Sequence, residues 1–297
     1  MEFVKMHGLG NDFVFIDHFN RQPAEGRSEG NYPELARQIC HRQFGVGGDG
    51  LVVVLPSQAA DARMRIFNLD GSEPEMCGNG IRCFARYIYD KGYVRKNPLR
   101  VETLAGILTL QLTLEGEKVT GVRVDMGEPI LKSGLIPVLA QGEPIIGAKL
   151  EAEGQEFAYT AVSMGNPHCI IFVEDYNTLD FERLGPAIEK HPLFPRKTNV
   201  EFIRVDSRKE LTMKVWERGA GPTLACGTGA CASTVAAVLN GKTERKVTVH
   251  LPGGDLLIEW GDDNHVYMTG PAAYVFKGIL LQDKMNSTKK AGHRNGE

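Results

Sequence analysis

Residues 67–80 read FNLDGSEPEMCGNG, and residues 216–229 read WERGAGPTLACGTG. In both stretches an aromatic residue lies ten positions before a cysteine, and the cysteine is followed by Gly-Asn-Gly or Gly-Thr-Gly. A segment with helical character begins directly after each cysteine, Cys77 or Cys226. The sequence therefore contains the same strand–loop–helix unit twice.

Two further pairs of segments flank this repeat in the same order. Upstream, residues 6–16 resemble residues 164–172, and downstream, residues 126–129 resemble residues 268–271. The period is too long for a solenoid, whose repeats run to about 20–50 residues. It predicts two similar domains that face each other across a pseudo-two-fold axis. A site between them would receive one equivalent loop from each half.

The rest of the pattern favours an α+β fold, because many short strands and few helices occur without a regular βαβ rhythm. The strands are predicted at Val52–Leu55, Met64–Phe67, Ile107–Leu114, Val119–Met126, Ala161–Ser163, Ile170–Val173, Leu211–Trp216, Val247–Leu251 and Leu256–Trp260. A first helix is predicted at Tyr32–Gln43, with Leu35, Ile39 and Phe44 on its apolar face. Two more are predicted at Asn79–Asp90 and Thr228–Asn240, ended by Gly92 and Gly241.

Composition and charge argue against several classes of function. Hydrophobic residues make up 42% of the 297 positions, charged residues 24%, and the net charge is −3. Because Lys and Arg form no runs, neither nucleic acid nor a membrane surface is predicted as a partner. The apolar runs are far shorter than the roughly 20 residues that span a bilayer. No leader pattern opens the sequence, so a cytoplasmic location is expected.

The six cysteines are interpreted as reduced thiols, as is usual in a chain of this size without a signal peptide. Their spacings include no C-x-x-C pair, so neither a metal site nor a disulfide redox motif is predicted. Four of them are interpreted as small buried hydrophobes: Cys40, Cys83, Cys169 and Cys231.

Cys77 and Cys226 are interpreted differently, because each lies at the start of a helix. Asn79 and Thr228 suit the N-cap position, and the positive end of a helix attracts anions. The thiols are therefore expected to be more acidic than the usual pKa of about 8.5. One thiolate could remove a proton beside a carboxylate while the other thiol supplies one from the opposite face. The helix N–H groups would stabilise the charge that develops.

Other interpretations remain open for several residues. The glycine-rich loops could cradle phosphate, but they lack the Lys-Ser/Thr ending of a P-loop, and residues 45–50 read as a turn. Arg218 either anchors a second substrate carboxylate or forms a surface ion pair. His168 either assists proton transfer or has a structural role.

Four motifs together resemble the bacterial diaminopimelate epimerase family. They are residues 6–13, 70–83, 164–168 and 217–231, and the likeness extends from residue 1 to about residue 281. Proline racemase-like and phenazine-biosynthesis isomerase-like enzymes share the family's fold but lack the full set of motifs.

The resemblance implies two pseudo-symmetric domains, each of mainly antiparallel strands wrapped around a central helix. The C-terminal strand would return to the first domain, which gives halves at 1–126 plus 271–282 and at 127–270, followed by a polar tail at 283–297. It also implies an isomerase that interconverts L,L- and meso-diaminopimelate for lysine and peptidoglycan precursor synthesis. Neither a cofactor nor a metal would be needed, and a homodimer is expected.

By motif position, the resemblance assigns the two bases to Cys77 and Cys226. The amide cradle for the reacting carboxylate falls on Gly78, Asn79, Gly227 and Thr228. Recognition of the amino groups and of the distal centre falls on Asn11, Asn68, Asn166, Asn199, Glu217 and Arg218. Gly50 departs from the family pattern, since some members have a pocket glutamine there.

Two rival functions remain. A proline or hydroxyproline epimerase would share the fold, but it would have no use for Arg218, because its substrate has no second carboxylate. A thiol redox or metal-binding protein would use Cys77 and Cys226 as a disulfide pair or as metal ligands.

Overall fold

The structure is a computed structural model that describes residues 1–20 and 31–281. The tail predicted at 283–297 lies outside the described residues. The chain forms two compact units, one of Met1–Leu110 with the segment that begins at Ala272, and one of Gln111–Pro271. The C-terminal end of the described chain thus belongs to the same unit as the N-terminus.

The first unit is built on one mixed sheet. Its elements are β1 (Glu2–Gly8), β2 (Asn11–Asp17), α1 (Tyr32–Ile39), β3 (Gly50–Leu55), β4 (Ala62–Asn68), α2 (Gly78–Asp90), β5 (Leu99–Thr103), β6 (Gly106–Glu115, which runs on past Leu110) and β17 (Ala273–Ile279). The strand order is β17, β1, β2, β3, β4, β5, β6. Neighbours are antiparallel except for two parallel pairs, β2–β3 and β4–β5.

The second unit is larger and is built in the same way. Its elements are β7 (Lys118–Asp125), β8 (Ala148–Ala152), β9 (Gln155–Ser163), β10 (Pro167–Phe172), α3 (Phe181–Glu189), β11 (Asn199–Ser207), β12 (Glu210–Glu217), β13 (Gly221–Pro222), α4 (Gly227–Leu239), β14 (Lys246–Leu251), β15 (Gly254–Trp260) and β16 (Val266–Gly270). The strand order is β8, β9, β10, β11, β12, β14, β15, β16, β7. The parallel pairs are β10–β11 and β12–β14.

The two sheets share one topology. In each, a parallel pair is followed by an antiparallel strand, then by the helix that starts at a cysteine, and then by a second parallel neighbour. The internal repeat and the predicted α+β fold of two similar halves are therefore confirmed.

The central helices α2 and α4 are largely buried within their units. Every residue from 229 to 237 is buried in α4, as its apolar sequence predicts, and the helix packs against the strands around it. Both helices end as predicted, because Gly92 (φ 72°) and Gly241 (φ 67°) adopt the left-handed conformation that closes a helix C-terminus.

The prediction for α1 was wrong at its C-terminal end. The helix stops at Ile39 instead of Gln43, and Phe44 is 77% exposed instead of lying on the buried face. The chain turns back here, since the N–H groups of Val46 and Gly47 both donate to the Ile39 carbonyl. The turn brings Gly45 so close to the carbonyl of Gln38 that a Cβ atom would collide with it.

All nine predicted strands are present, most of them longer than predicted. The sequence did not predict α3 or the strands β1, β2, β5, β8, β11, β13, β16 and β17, although β2 and β11 carry residues of the candidate site. None of the helices in residues 1–20 and 31–281 has the length and apolar character of a membrane span.

Candidate active site

The N-terminus of α2 is formed by Cys77, which adopts an extended conformation and precedes the first helical residue, Gly78. Asn79 was predicted as the N-cap but is the second helical residue, so that prediction was wrong. No side chain caps this helix end. The N–H groups of its first turn therefore remain available to an anion, as the first amides of a helix lack intrahelical partners.

In the first unit Asn11 lies beside the Cys77 thiol and is hydrogen-bonded to Asn79. Asn79 Nδ2 donates to Asn11 Oδ1 at 3.1 Å, and the same oxygen lies 3.9 Å from Cys77 Sγ. Asn11 Nδ2 donates to Asp49 Oδ2 at 2.7 Å. Because a carboxylate can only accept, Asp49 fixes which end of the Asn11 amide faces the cysteine.

Arg82, one turn into α2, fixes the second amide. Its side chain is fully buried, and Nη2 donates to Asn79 Oδ1 at 2.8 Å while Nη1 donates to the Gly78 carbonyl at 3.1 Å. A guanidinium has no acceptor, so the Asn79 oxygen must face Arg82 and its NH2 group must face Asn11. The orientation of both amides around Cys77 is thereby determined.

Asn68 and Gly50 lie opposite each other at the ends of β4 and β3. Asn68 is exposed and donates from Nδ2 to Ser72 Oγ at 3.0 Å. A Cβ atom on Gly50 would lie 2.8 Å from the Phe67 carbonyl oxygen, so no side chain fits there without movement of the strand. The glutamine found at this position in some family members could therefore not be accommodated here without a shift of the backbone.

Cys226 occupies the same place at α4 that Cys77 occupies at α2. It precedes Gly227, the first helical residue, and no side chain caps the helix, so Thr228 is not the N-cap that was predicted. Its Sγ lies 3.6 Å from Thr228 Oγ1.

The prediction of an acidic thiol was wrong for Cys226. Burial raises the pKa of this thiol well above its usual value, and the carboxylates of Glu217 and Glu201 add to the rise. Hydrogen bonds from Thr228 and from the Gly229 N–H lower the pKa but do not compensate. Desolvation disfavours the thiolate of Cys226 more than the helix terminus and these hydrogen bonds favour it.

Asn166 lies in the turn between β9 and β10, and His168 is the second residue of β10. Asn166 Nδ2 donates to Thr228 Oγ1 at 3.3 Å, and His168 Nε2 lies 3.0 Å from Asn166 Oδ1. His168 is fully buried, and its Nδ1 lies 2.6 Å from Glu201 Oε1. Burial raises the pKa of the Glu201 carboxyl, while the adjacent imidazole opposes the rise.

Asn199, Glu217 and Arg218 meet at the ends of β11 and β12. Asn199 Nδ2 donates to the Pro167 carbonyl at 2.8 Å, and its Oδ1 accepts from the Arg218 N–H at 2.9 Å. The Asn199 side chain thereby links the start of β10 to the residue that follows β12. Glu217 Oε1 accepts from the Thr223 hydroxyl. Arg218 is exposed, and its guanidinium has no carboxylate partner among the described residues, so the alternative of a surface ion pair is not supported.

The remaining cysteines are buried as predicted. Burial raises the pKa values of Cys40 and Cys83 to about 12, which removes them as nucleophiles or bases near neutral pH. In residues 1–20 and 31–281, no group of three or more His, Cys, Asp and Glu side chains could hold a metal ion.

Sequence reasoning missed three residues that shape these half-sites: Asp49, Arg82 and Glu201. Arg82 could have been found from its spacing, since it lies one helical turn after Gly78. Glu201 lies two residues after Asn199 on one strand and therefore on the same face. Asp49 gave no signal beyond its place in a glycine-rich loop.

Comparisons with known proteins agree with this arrangement. The family model of diaminopimelate epimerase matches residues 3–132 and 160–275. A diaminopimelate epimerase of Desulfitobacterium hafniense is 80% identical over 96% of this chain and 100% of its own length. One from Moorella thermoacetica is 59% identical over 95% of this chain and 100% of its own length.

Solved structures with the same fold are more distant in sequence. A phenazine biosynthesis protein of the PhzF family from Bacillus anthracis has a TM-score of 0.67 at 19% identity and covers 95% of this chain and 99% of its own. A hydroxyproline epimerase from Agrobacterium vitis has a TM-score of 0.62 at 15% identity and covers 95% of this chain and 96% of its own. These likenesses concern the fold, whereas the sequence matches over nearly the whole chain show that it belongs to the diaminopimelate epimerase family.

Proposed function

We propose that this chain interconverts L,L- and meso-diaminopimelate at the α-carbon, with Cys77 and Cys226 as the two acid–base groups. Membership of the family, with a cysteine at an uncapped helix N-terminus in each unit, is the observation that carries the proposal. The meso-diaminopimelate formed would be used for the synthesis of lysine and of peptidoglycan precursors.

In the proposed reaction, one cysteine thiolate takes the α-proton and becomes a thiol. The electrons of the broken C–H bond move into the carboxylate, which takes on enediolate character. The other thiol gives its proton to the opposite face of the α-carbon and keeps the S–H electrons as a thiolate. The reaction needs no oxidant or reductant, and it inverts the configuration.

The amides at both helix starts support this chemistry. No side chain caps either helix, so four N–H groups can bind a carboxylate whose negative charge grows in the transition state. They belong to Gly78, Asn79, Gly227 and Thr228. The proposal requires the sulfur atoms of Cys77 and Cys226 to act on opposite faces of one α-carbon.

The high pKa of Cys226 favours it as the proton donor when the substrate first binds. It becomes a base in the reverse direction, once it has given up this proton. The carboxylates of Glu217 and Glu201 then oppose its charge, and the hydrogen bonds from Thr228 and Gly229 support it.

The far end of the substrate is proposed to bind Arg218. Its exposed guanidinium is free of acidic partners among the described residues, and a guanidinium can hold a carboxylate through two parallel hydrogen bonds. The amino groups and the distal centre of the substrate are proposed to be recognised by Asn11, Asn68, Asn166, Asn199 and Glu217. A proline-type substrate has no second carboxylate for Arg218.

A substrate comparison tests the proposal. The purified protein is incubated without added cofactor with L,L-diaminopimelate and, separately, with L-proline and trans-4-hydroxy-L-proline, and the stereoisomers are separated by chiral chromatography. Conversion of diaminopimelate alone is expected. Conversion of an imino acid instead would assign the chain to the rival function.

A homodimer is proposed on the basis of β17. This strand exposes apolar side chains on both of its faces, with Val275 54%, Phe276 49% and Ile279 68% exposed. Such a row of exposed apolar residues is typical of a protein–protein interface.

Replacement of Phe276 by glutamate is expected to convert the dimer into a monomer, because a charge would have to be buried in the contact. Light scattering during size-exclusion chromatography measures the mass. Leu135→Glu, at an exposed apolar residue of the other unit (65% exposed, against 49% for Phe276), is the control and should leave the mass unchanged. A wild-type protein that elutes as a monomer would contradict the proposal.

A cytoplasmic location is proposed from the thiols. All six cysteines are free, as expected for a protein kept in a reducing compartment.

A further inference from the structure

Glu201 is a buried carboxyl group that the proposed chemistry does not use. Its Oε2 has no hydrogen-bond partner among the described residues, and its Oε1 is paired with His168 at 2.6 Å, both side chains being fully buried. Glu201 also approaches the first turn of α4, since a Cβ atom on Gly229 would lie 2.7 Å from Glu201 Oε1 and 3.2 Å from Cys226 Sγ.

A chain of hydrogen bonds leads from this pair to the sulfur. His168 Nε2 lies 3.0 Å from Asn166 Oδ1, and Asn166 Nδ2 lies 3.3 Å from Thr228 Oγ1. Thr228 Oγ1 in turn lies 3.6 Å from Cys226 Sγ. Each group in this chain has a fixed number of hydrogen-bond donors and acceptors. The position of the hydrogen on His168 therefore determines which group donates at every following link.

The geometry defines that direction. Asn166 Oδ1 can only accept, so His168 Nε2 must carry a hydrogen. Asn166 Nδ2 then donates to Thr228, whose own hydroxyl hydrogen is left free to point at Cys226 Sγ. A thiolate is the better acceptor for this hydrogen, because hydrogen bonds to a charged group are the stronger ones.

Glu201 is the group that keeps the hydrogen on Nε2 of His168. With Nε2 protonated, Nδ1 either donates to the Glu201 carboxylate or accepts from the protonated carboxyl group. Both forms contain the same number of protons, and the pair is neutral overall in each. Full burial favours a neutral pair, since an uncompensated buried charge is costly.

Without Glu201, His168 is free to carry its single hydrogen on Nδ1. The Asn166 amide then turns over and donates to Nε2, and its oxygen takes the Thr228 hydroxyl hydrogen. Thr228 can then only accept from the Cys226 thiol, so the chain supports the thiol instead of the thiolate.

We propose that Glu201 is a positioning residue which, through this chain, makes the Thr228 hydroxyl a hydrogen-bond donor to the sulfur of Cys226. The inference rests on the proposed function only in taking Cys226 as one of the acid–base groups.

The test measures how readily Cys226 forms its thiolate, in the absence of substrate. Cys77→Ala protein is treated with iodoacetamide across neutral pH, and alkylation of Cys226 is followed by mass spectrometry of its peptide. Below the pKa, the rate is proportional to the thiolate fraction. With Glu201→Leu added, we expect the rate to fall about tenfold, which corresponds to a pKa about 1 higher.

Loss of a negative charge alone would have the opposite effect. The Glu201 and Glu217 carboxylates both raise the pKa of Cys226, so simple removal of the Glu201 charge would lower the pKa and speed alkylation. Glu217 is retained in every variant. An unchanged or faster rate in folded Glu201→Leu protein would therefore overturn the proposal.

Two further variants show whether the effect passes through the chain. Thr228→Val should slow alkylation of Cys226 by a similar factor. In the Thr228→Val background, Glu201→Leu should no longer slow alkylation, because only the loss of its charge remains, and that loss speeds the reaction. Thr234→Val on the same helix, where the hydroxyl donates to the Ala230 carbonyl, is the control and should leave the rate unchanged. Additive effects of Glu201→Leu and Thr228→Val would contradict the chain. Thr228→Val alone decides the question if the leucine variant does not fold, since an unchanged rate there would equally overturn the proposal.

The conservative variant Glu201→Gln should restore most of the rate. Its amide can donate to His168 Nδ1 and so keep the hydrogen on Nε2. With Cys77 present, Glu201→Leu should also lower kcat for diaminopimelate about tenfold, the size expected for loss of one hydrogen bond to a charged group. The two proposals can fail separately. If Glu201→Leu slows alkylation of Cys226 but the wild-type protein does not turn over diaminopimelate, the hydrogen-bond chain is upheld and the proposed function is overturned.

Discussion

Replacement of Cys77 or Cys226 by alanine is expected to lower kcat for inversion by about 100- to 10,000-fold, the usual contribution of a general acid or base. Either change removes one of the two groups that must act on opposite faces of the α-carbon. The loss should appear in kcat and kcat/KM together, because the thiols act on the reacting bond and not on ground-state binding. Chiral chromatography of the product in both reaction directions measures it.

The matched controls are Cys83→Ala and Cys231→Ala, which remove a buried cysteine from α2 and α4, respectively, while the residues at the helix starts stay in place. We expect both to retain activity and to lose only stability, since each leaves a small cavity. Full activity of Cys77→Ala or Cys226→Ala, or an equal loss in the controls, would contradict the two-base assignment.

Arg218→Met is expected to raise KM for diaminopimelate by about 10- to 100-fold. A hydrogen bond to a charged group contributes about 1.5–3 kcal/mol, and methionine keeps much of the apolar stem while removing the guanidinium. Initial rates over a range of substrate concentrations separate KM from kcat. The effect on kcat should be smaller, because the distal carboxylate does not take part in the proton transfers.

Arg196→Met is the control for this change. Arg196 is exposed and close in space, because its backbone carbonyl accepts from Arg218 Nη1 at 3.4 Å, but its side chain has no role in the proposal. Its KM should match that of the wild-type protein. A similar rise in both variants would indicate general attraction of the distal carboxylate by positive charge, and would remove the specific assignment to Arg218.

The internal repeat allowed much of the fold to be predicted from the sequence. Because the motif around Cys77 returns around Cys226, the two helices and the strand before each could be placed, and the glycines at 92 and 241 marked where the helices end. The same repeat predicted that both cysteines stand at helix starts.

Other elements were hidden by their tertiary surroundings. Helix α3 contains Gly185 and Pro186, which read as breakers, yet Gly185 lies so close to the Trp216 ring that a Cβ atom would be 2.6 Å from it. The close packing of this helix on the ring requires the glycine. The end of α1 depends in the same way on carbonyl groups that accept from the following turn.

The electrostatics of the site could not be predicted from local sequence. A helix start suggested an acidic thiol, but the burial of Cys226 and the approach of Glu217 and Glu201 depend on strands distant in sequence. The amide orientations around Cys77 likewise depend on Arg82 and Asp49, whose side chains meet the asparagines only after folding.

The central claim is a cofactor-free exchange of the α-proton by two thiols, and proton NMR of the purified protein with L,L-diaminopimelate in D2O tests it most directly. Under reducing conditions and without added cofactor, we predict that the α-proton signal disappears as the meso isomer appears, and that the inversion slows by at least about 100-fold in Cys77→Ala and Cys226→Ala. Persistence of the α-proton signal alongside unchanged L,L isomer in the wild-type protein would contradict the account.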